Sequence, residues 1–191
     1  MINKQDFENM RKEMGSLELK REETIQLSRE TISISKQIIY AAQRNDFKTA
    51  QDAIKKIKAN VGKLKNIKVG LDTNMNSVAI QEYVEAITFY SFVKDKKLLT
   101  RSSLGVSAED YLCGLCDLTG ELVRKAVYEV IHKNYDEATR IKELVDQIYG
   151  EFLKLSMRNG ELRKKSDSIK WNLKKLEEIM YDISIKRLRN S

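Results

Sequence analysis

Helical periodicity runs along the whole sequence, and none of its 191 residues is a proline that would break it. Within residues 3–45, apolar or small side chains recur at alternating spacings of four and three, at Leu27, Thr31, Ile34, Ile38 and Ala41. This spacing forms a heptad-like seam on one helix face. The alternating patterns typical of strands are missing. The sequence therefore predicts an all-α fold, a bundle of about six to seven long helices.

Turn residues and capping signals set the expected helix boundaries. Asn45-Asp46 interrupts the first helix, and a loop is expected over 70–76. Ser107, followed three residues later by Asp110 and then by an apolar run, is typical of a helix N-terminus. The predicted helices span 3–45, 46–66, 77–98, 107–132, 135–158 and 161–187. The glycines are scattered singly and no linker divides the chain, so one domain over 1–191 is expected.

Composition and charge narrow the class of protein. Hydrophobic residues make up 41% of the chain, enough for a folded core. The net charge of +7 favours a polyanionic partner, nucleic acid or an acidic membrane, although a lysine-rich solvated surface carries the same charge. No apolar run reaches the roughly 18 residues needed to span a membrane. With two cysteines and no apolar signal-peptide core in MINKQDFENMRKEMG, a cytoplasmic location is expected.

Two pairs of carboxylates lie on helices that are otherwise apolar. Glu82 and Glu85, in QEYVEAITFY, are three residues apart and share a helix face. Asp117 and Glu121 are four apart in DYLCGLCDLTGELVRKAV and also share a face. This second helix contains two glycines, Gly114 and Gly120, which cost about 1 kcal/mol each against alanine. Close approach of another helix is one reason for them.

Side by side, the two helices would bring four carboxylates together. Buried carboxylates are costly unless paired or metal-bound, and an oxygen-rich cluster suits Mg²⁺ or Mn²⁺. Such a site can activate water for attack at phosphorus, as in a metal-dependent nuclease. If these like charges crowd, neutralising Glu85 or Asp117 should leave metal-free stability equal or higher. Alternatively, the pairs face solvent or pair with Arg124 and nearby lysines.

Other candidate motifs favour structural roles. A di-iron bundle needs Glu-x-x-His motifs, and the single histidine, His132, is eleven residues beyond Glu121. His132 is instead expected to cap a helix end. CGLC, from Cys113 to Cys116, has no second cysteine pair and is interpreted as buried helix packing rather than a zinc or redox site. Trp171, Tyr149 and Tyr181 occur at helical spacings and are expected in the core.

Basic residues concentrate in three segments. Residues 46–68 hold seven lysines against two aspartates, and residues 158–191 hold ten basic side chains against five acids. Both are interpreted as solvated faces. Residues 94–101, which come just after the helix turns of Glu82 and Glu85, are instead interpreted as bringing phosphates toward the carboxylates. The candidate nucleic-acid contacts are Lys94, Lys97, Arg101 and Arg124.

The acidic segments resemble a known family. QEYVEAITF and DYLCGLCDLTGELVR closely resemble segments of Trax in the translin/Trax family, and REETIQLSRETISISKQII is similar to Trax as well. The C-terminal RKKSDSIKWNLKKLEEIMYDISIKR looks more like translin. The resemblance covers nearly the whole chain and implies an archaeal member that assembles alone.

This resemblance implies an all-α subunit in a closed hollow homo-oligomer, an octamer by analogy with the eukaryotic complex. It implies Mg²⁺-dependent endonucleolytic cleavage of single-stranded RNA inside that shell, with DNA as a further ligand. The Trax carboxylates match Glu82, Glu85 and Asp117. Glu121 discriminates less, because translin, which lacks the activity, has a glutamate at that place.

Three functions therefore compete. The first is a metal-dependent RNA endonuclease, which the Trax-type carboxylates favour. The second is a translin-like single-strand nucleic-acid binder without catalysis. The third is a helical scaffold whose charge only solvates its surface, and it alone predicts no salt-dependent affinity for nucleic acid.

Overall fold

The computed structural model describes residues 2–66 and 73–189, which form seven α-helices and no strand. The helices are α1 (Lys4–Gln43), α2 (Phe47–Lys65), α3 (Thr73–Asp95), α4 (Arg101–Leu104), α5 (Ala108–Ile131), α6 (Tyr135–Phe152) and α7 (Glu161–Arg189). The all-α prediction is confirmed. Among the helices of these two ranges, none is both long and apolar enough to cross a membrane.

Several predicted boundaries differ from the structure. The helix predicted to reach residue 98 ends at Asp95, because Lys96 takes a left-handed backbone conformation at φ 56°. Part of the expected 70–76 loop lies outside the described residues, and its last four residues, 73–76, are already helical. The polar segment before Ser107 contains the single turn α4, which Thr100 caps and Gly105 ends at φ +62°. The helix predicted to reach residue 158 ends at Phe152. There the backbone hydrogen bonds span three residues instead of four, from Lys154 N–H to Glu151 O and from Leu155 N–H to Phe152 O. This tighter turn ends the α-helix.

The predicted helix start at Ser107 is confirmed. The Ser107 hydroxyl accepts a hydrogen bond from the Asp110 backbone N–H at 3.0 Å and donates to the Asp110 carboxylate at 2.7 Å. The other oxygen of Asp110 accepts from Ser77 on α3, 2.5 Å away. This cap therefore joins the beginnings of α3 and α5, and it sets how the two acidic helices are aligned.

The helix α3 is the centre of the core. It packs against α1 and α5, and α7 packs against α5. Residues 83–93 of α3 are buried without a break. The seam of α1 is buried inside the same subunit at Thr31, Ile34, Ile38 and Ala41. Because α2 and α3 already cover this seam, it needs no partner chain.

The two glycines of α5 have different surroundings. A Cβ on Gly114 would lie 2.7 Å from the Val84 Cβ and 2.8 Å from the Gln81 carbonyl oxygen, so the expected close approach of a second helix is confirmed there. At Gly120 the nearest atom is Asn172 Nδ2 on α7, at an ordinary 3.8 Å. The same expectation is wrong at Gly120, because only a side chain of α7 reaches that position.

The aromatic residues divide between surface and interior. Trp171 and Tyr181 are 64% and 65% exposed, so their predicted core positions are wrong. The helix α7 packs through the face that carries Ile169, Leu173 and Leu176, and neither Trp171 nor Tyr181 lies on it. Tyr149 does pack against the core, as predicted.

His132 immediately follows α5, as expected for a capping residue. Its backbone N–H donates to the Tyr128 carbonyl oxygen at 3.2 Å, and its ring Nδ1 lies 2.8 Å from the same oxygen. The ring is also tilted over the Tyr128 ring, with 4.2 Å between their centroids. The predicted capping role is confirmed.

Candidate functional site

The alignment of α3 and α5 brings the four predicted carboxylates into one region. Gly114 lies against Val84, so Glu85 on α3 and Asp117 on α5 come to the same level of the bundle. Glu85 is only 8% exposed, whereas Glu82, Asp117 and Glu121 are half-buried. Their charges influence one another, as the pKa of Glu85 shows.

Burial is the main cause of a strongly raised pKa at Glu85. Together with the negative charges of Asp117, Glu82 and Glu121, it raises the pKa of this carboxyl to about 9. The pKa of Glu82 is raised as well, again chiefly by burial, although Lys36 opposes the shift. Glu85 therefore holds a proton at neutral pH when no cation compensates the cluster.

The four carboxylates differ in their ion-pair partners. Both oxygens of Glu121 lie 2.9 Å from Arg124 Nη1, and Glu121 Oε2 also accepts from the Gln43 amide at 3.0 Å. The alternative interpretation, in which the carboxylates pair with Arg124, therefore holds for Glu121. Glu82 and Glu85 have no ion-pair partner in the described part of the chain, so a negative charge on either of them would be the least compensated in the cluster.

Lys165 is part of the site, although no pattern in the sequence indicates it. This residue of α7 donates from Nζ to Asp117 Oδ2 at 2.5 Å and to Gln81 Oε1 at 3.0 Å. It belongs to the basic segment 158–191, whose interpretation as a solvated face is wrong for this lysine. The lysine and Asp117 are 48 residues apart. Only the packing of α7 against α5 joins them.

The donor set suits a hard divalent cation, since carboxylate oxygens are the ligands that Mg²⁺ and Mn²⁺ prefer. Within residues 2–66 and 73–189, two of the carboxylates lack a cationic partner, and burial suppresses the charge at Glu85. Over residues 2–66 and 73–189, however, no three histidine, cysteine, aspartate or glutamate side chains are gathered closely enough to enclose an ion. The residues fit a divalent metal in charge and donor type.

The predicted nucleic-acid contacts lie apart from the cluster, except for Arg124. Lys94, Lys97 and Arg101 are exposed. Lys94 is nine residues beyond Glu85, about 14 Å further along the helix axis. Its Nζ donates to the Tyr90 hydroxyl at 3.1 Å, and this bond raises the pKa of Lys94. The cations nearest the carboxylates are instead Lys36, Arg124 and Lys165.

A buried lysine stabilises the end of α1 next to the site. Lys125 is 1% exposed and pairs with Glu129 at 2.9 Å. Its ammonium also donates to the Gln43 carbonyl at 3.0 Å and to Asn45 Oδ1 at 2.8 Å. Gln43 is thereby fixed where its side chain can reach Glu121. A lysine on an amphipathic helix gives no sequence signal for such burial.

Cys113 and Cys116 are buried free thiols, as their interpretation as packing residues predicted. Burial raises the pKa of Cys113 to about 11 and that of Cys116 to about 12. Both side chains therefore remain protonated at neutral pH. A protonated buried thiol is a poor nucleophile and a poor metal ligand.

Comparison with known proteins gives one consistent family. Residues 19–187 match the model of the Translin family. Translin of Gallus gallus is 33% identical over 123 residues, covering 57% of this chain and 54% of the chicken protein. The translin-associated protein X homolog of Schizosaccharomyces pombe is 29% identical over 184 residues, covering 85% of this chain and 80% of the yeast protein. The chain thus spans about half the length of the translins it matches.

Solved structures agree in fold over nearly the whole chain. The structure of AfC3PO in complex with duplex RNA has a TM-score of 0.88 at 25% identity, covering 96% of this chain and 98% of that one. Apo-NeC3PO has a TM-score of 0.84 at 30% identity, covering 93% and 96%.

Proposed function

The chain belongs to the Translin family, and from this premise we propose that it is a metal-dependent endoribonuclease that cleaves single-stranded RNA. One observation carries the proposal: Glu82 and Glu85 lie beside Asp117 with no ion-pair partner of their own in the described residues, in an environment that raises the pKa of Glu85 to about 9. Uncompensated carboxylates in such a place are destabilising unless a cation joins them.

Glu82, Glu85, Asp117 and Glu121 would hold the metal, Mg²⁺ or Mn²⁺. When bound, such an ion polarises the phosphate and lowers the pKa of an attacking water. Before Glu85 can act as a ligand it has to release its proton. Gln43 orients Glu121 through the bond to Oε2, and Arg124 shares the charge of that carboxylate. For a metal to take Asp117 Oδ2, Lys165 has to release that oxygen.

RNA as the partner is supported by charge and by family. The chain carries a net charge of +7, which favours phosphate backbones. A structural relative, AfC3PO, was solved with duplex RNA. In our proposal Lys94 contacts the strand about 14 Å along the α3 axis from Glu85, a separation of a few nucleotides. Lys97 and Arg101, which follow α3, contact the same strand. Arg124 contacts it beside the carboxylates.

A second candidate is a translin-like nucleic-acid binder without catalysis. Its support is specific: the described carboxylates are not gathered around a common point, and Lys165 already bonds Asp117. A protein that never takes up a metal would have the same arrangement. The two candidates differ in whether the cluster binds a divalent cation.

We also propose assembly into a closed homo-oligomer, an octamer. The seam from Leu27 to Ala41 provides no support, because it is covered within the subunit. Support comes instead from the exposed N-terminal part of α1, where Phe7, Met10, Met14 and Leu17 repeat at spacings of three and four with no cover in the described structure. An exposed apolar row of this kind suits a contact with another helix. Light scattering at physiological salt tests the proposal, and a monomer would exclude it.

Incubation with labelled RNA decides between the candidates. Single-stranded RNA, duplex RNA and single-stranded DNA are each mixed with the protein in Mg²⁺, in Mn²⁺ and in EDTA. We expect internal cleavage of single-stranded RNA only with metal, and none by the Glu85→Gln variant. Salt-sensitive binding without cleavage under every condition would favour the non-catalytic binder. Absence of both RNA binding and RNA cleavage would favour the third function considered from the sequence, a helical scaffold whose charge only solvates its surface.

A further inference from the structure

We propose that Lys165 is the built-in counter-ion of the carboxylate cluster, holding Asp117 in the metal-free protein and yielding it when a divalent cation binds. The proposal rests on the metal site of the proposed function. It adds a competition between an ammonium group of this chain and the metal for one carboxylate.

The position of Lys165 is defined by two acceptors on two different helices. Its Nζ bonds Asp117 of α5 and Gln81 of α3 at the same time. Gln81 is 3% exposed, and its own amide N–H groups donate to Ser77 at 3.0 Å and Asp110 at 3.5 Å. The amide is therefore oriented with its oxygen toward the lysine. A surface lysine that met Asp117 by chance would lack this second, oriented acceptor.

The charge of Lys165 reaches most of the cluster. It opposes the raised pKa values of both Glu82 and Glu85, although it bonds neither of them. Burial lowers the pKa of Lys165, but the bond to Asp117 and the negative charges of Asp117 and Glu161 together outweigh burial, and the pKa is raised. The ammonium thus stays charged at neutral pH. Three cations lie near the cluster. Arg124 pairs with Glu121, and Lys36 opposes the raised pKa of Glu82. Lys165 is the cation that pairs with Asp117.

Competition for Asp117 follows from this arrangement. A divalent ion that takes Asp117 Oδ2 has to displace Lys165 from that oxygen. An ion that takes the other oxygen still meets the repulsion of a nearby positive charge. Removing that charge should therefore strengthen metal binding. It should also weaken the metal-free fold, because the carboxylates are then without their counter-ion. These opposite effects are not expected from a lysine that only packs.

The test compares Lys165→Met, which removes the charge and keeps the length, with Lys164→Met, which removes an exposed charge from the same helix. In EDTA, Lys165→Met should melt a few degrees lower than wild type, roughly 2–4 °C. Mn²⁺ titrations followed by calorimetry and by electron paramagnetic resonance should give a dissociation constant about tenfold lower. Lys164→Met should leave both unchanged.

Two further variants complete the test: one replaces Lys165→Met if that variant does not fold, and the other retains the positive charge. Lys165→Gln replaces Lys165→Met if the latter does not fold, and Lys165→Arg should retain both wild-type stability in EDTA and wild-type Mn²⁺ affinity. Equal or weaker Mn²⁺ binding in a folded, uncharged variant overturns the proposal, as does absence of Mn²⁺ binding in every variant. Tighter Mn²⁺ binding with no RNA cleavage by wild type would sink the nuclease and leave the counter-ion role standing. RNA cleavage by wild type, with unchanged Mn²⁺ affinity in the uncharged variants, would overturn the counter-ion role and leave the nuclease standing.

Discussion

Gly114 on α5 and Val84 on α3 are in direct contact, so close that a Cβ on Gly114 would lie 2.7 Å from the Val84 Cβ. So short a separation between two such carbons would require one helix to move. The same two helices carry Glu85 and Asp117. The missing side chain at position 114 therefore determines how near the two acidic pairs can come.

Gly114→Ala should push α3 and α5 apart, at a cost of about 1–3 kcal/mol in the free energy of unfolding. RNA cleavage should fall, because the carboxylates separate. Gly120→Ala is the matched control: its nearest neighbour is at 3.8 Å, so the better helix propensity of alanine should stabilise the protein by up to about 1 kcal/mol. Denaturant unfolding and cleavage rates check both. Equal stability of Gly114→Ala and wild type would mean that the helices can adjust freely.

Glu85→Gln and Asp117→Asn should each lower the cleavage rate by orders of magnitude, because each removes a charged ligand at constant size. Their stabilities in EDTA should differ. Glu85→Gln should melt at or above the wild-type midpoint, since it removes an unpaired buried carboxyl. Asp117→Asn should destabilise the protein by about 1 kcal/mol, because it breaks the ion pair with Lys165. The sequence alone predicts no such cost for Asp117, and the ion pair corrects that expectation.

The exposed Glu143→Gln on α6 serves as the control for these substitutions. It should keep both wild-type cleavage and wild-type melting. A Glu85→Gln protein that cleaves at the wild-type rate but melts early would assign Glu85 a structural role instead.

Metal-free stability should decline with pH because of Glu85. Its pKa is raised from the ordinary 4.5 to about 9 in the folded protein. Below pH 4.5 the Glu85 carboxyl is protonated in both the folded and the unfolded chain, so it does not lower the free energy of unfolding. As the pH rises toward 9, the unfolded chain releases its proton while the folded chain keeps it, so stability falls by at most about 1.4 kcal/mol per pH unit. Melting in EDTA between about pH 5 and 8.5 should show a shallower slope for Glu85→Gln than for wild type.

Cys113→Ala with Cys116→Ala should preserve RNA cleavage, at a cost in stability of about 1 kcal/mol per residue from poorer packing. Serine should cost more, because a buried hydroxyl needs a hydrogen-bond partner. In the wild-type protein both thiols should react slowly with a thiol reagent until the protein unfolds, since their pKa values are about 11 and 12. A folded double variant that no longer cleaves would restore a chemical role to the pair.

Lys94→Ala with Lys97→Ala should raise the RNA dissociation constant and flatten its salt dependence. For single strands the slope should fall by about 0.7 for each phosphate that the protein no longer neutralises. Lys56→Ala with Lys58→Ala removes the same charge from exposed positions on α2 and should change binding less. Binding is measured at several salt concentrations. If the slopes of the two double variants agree, the strand lies elsewhere on the protein.

Local signals in the sequence account for the helices and for several contacts. The spacing of Leu27 to Ala41 predicts a helix face, and the Ser107 cap is found where the side-chain pattern places it. Gly114 indicates a close helix neighbour before the neighbour is known. These predictions hold because periodicity, capping and the lack of a Cβ act within a few residues of the chain.

Residues whose environment depends on packing were not predictable in the same way. Trp171 has the spacing of a core residue but lies on the outer face of α7. Gly120 lies on the same helix as Gly114, yet no backbone approaches it. The apolar pattern of a helix identifies its faces, whereas the neighbouring helices decide which face is covered.

An all-α chain with two pairs of carboxylates on two helix faces follows from the sequence. That Glu121 is engaged by Arg124 and Gln43, and that Lys165 reaches Asp117 across 48 residues, follows only from the packing of the helices. The two kinds of feature differ in their range along the chain. Helix periodicity is encoded by residues three and four apart, but an ion pair between α5 and α7 forms only once both helices have packed, and no local spacing records that contact.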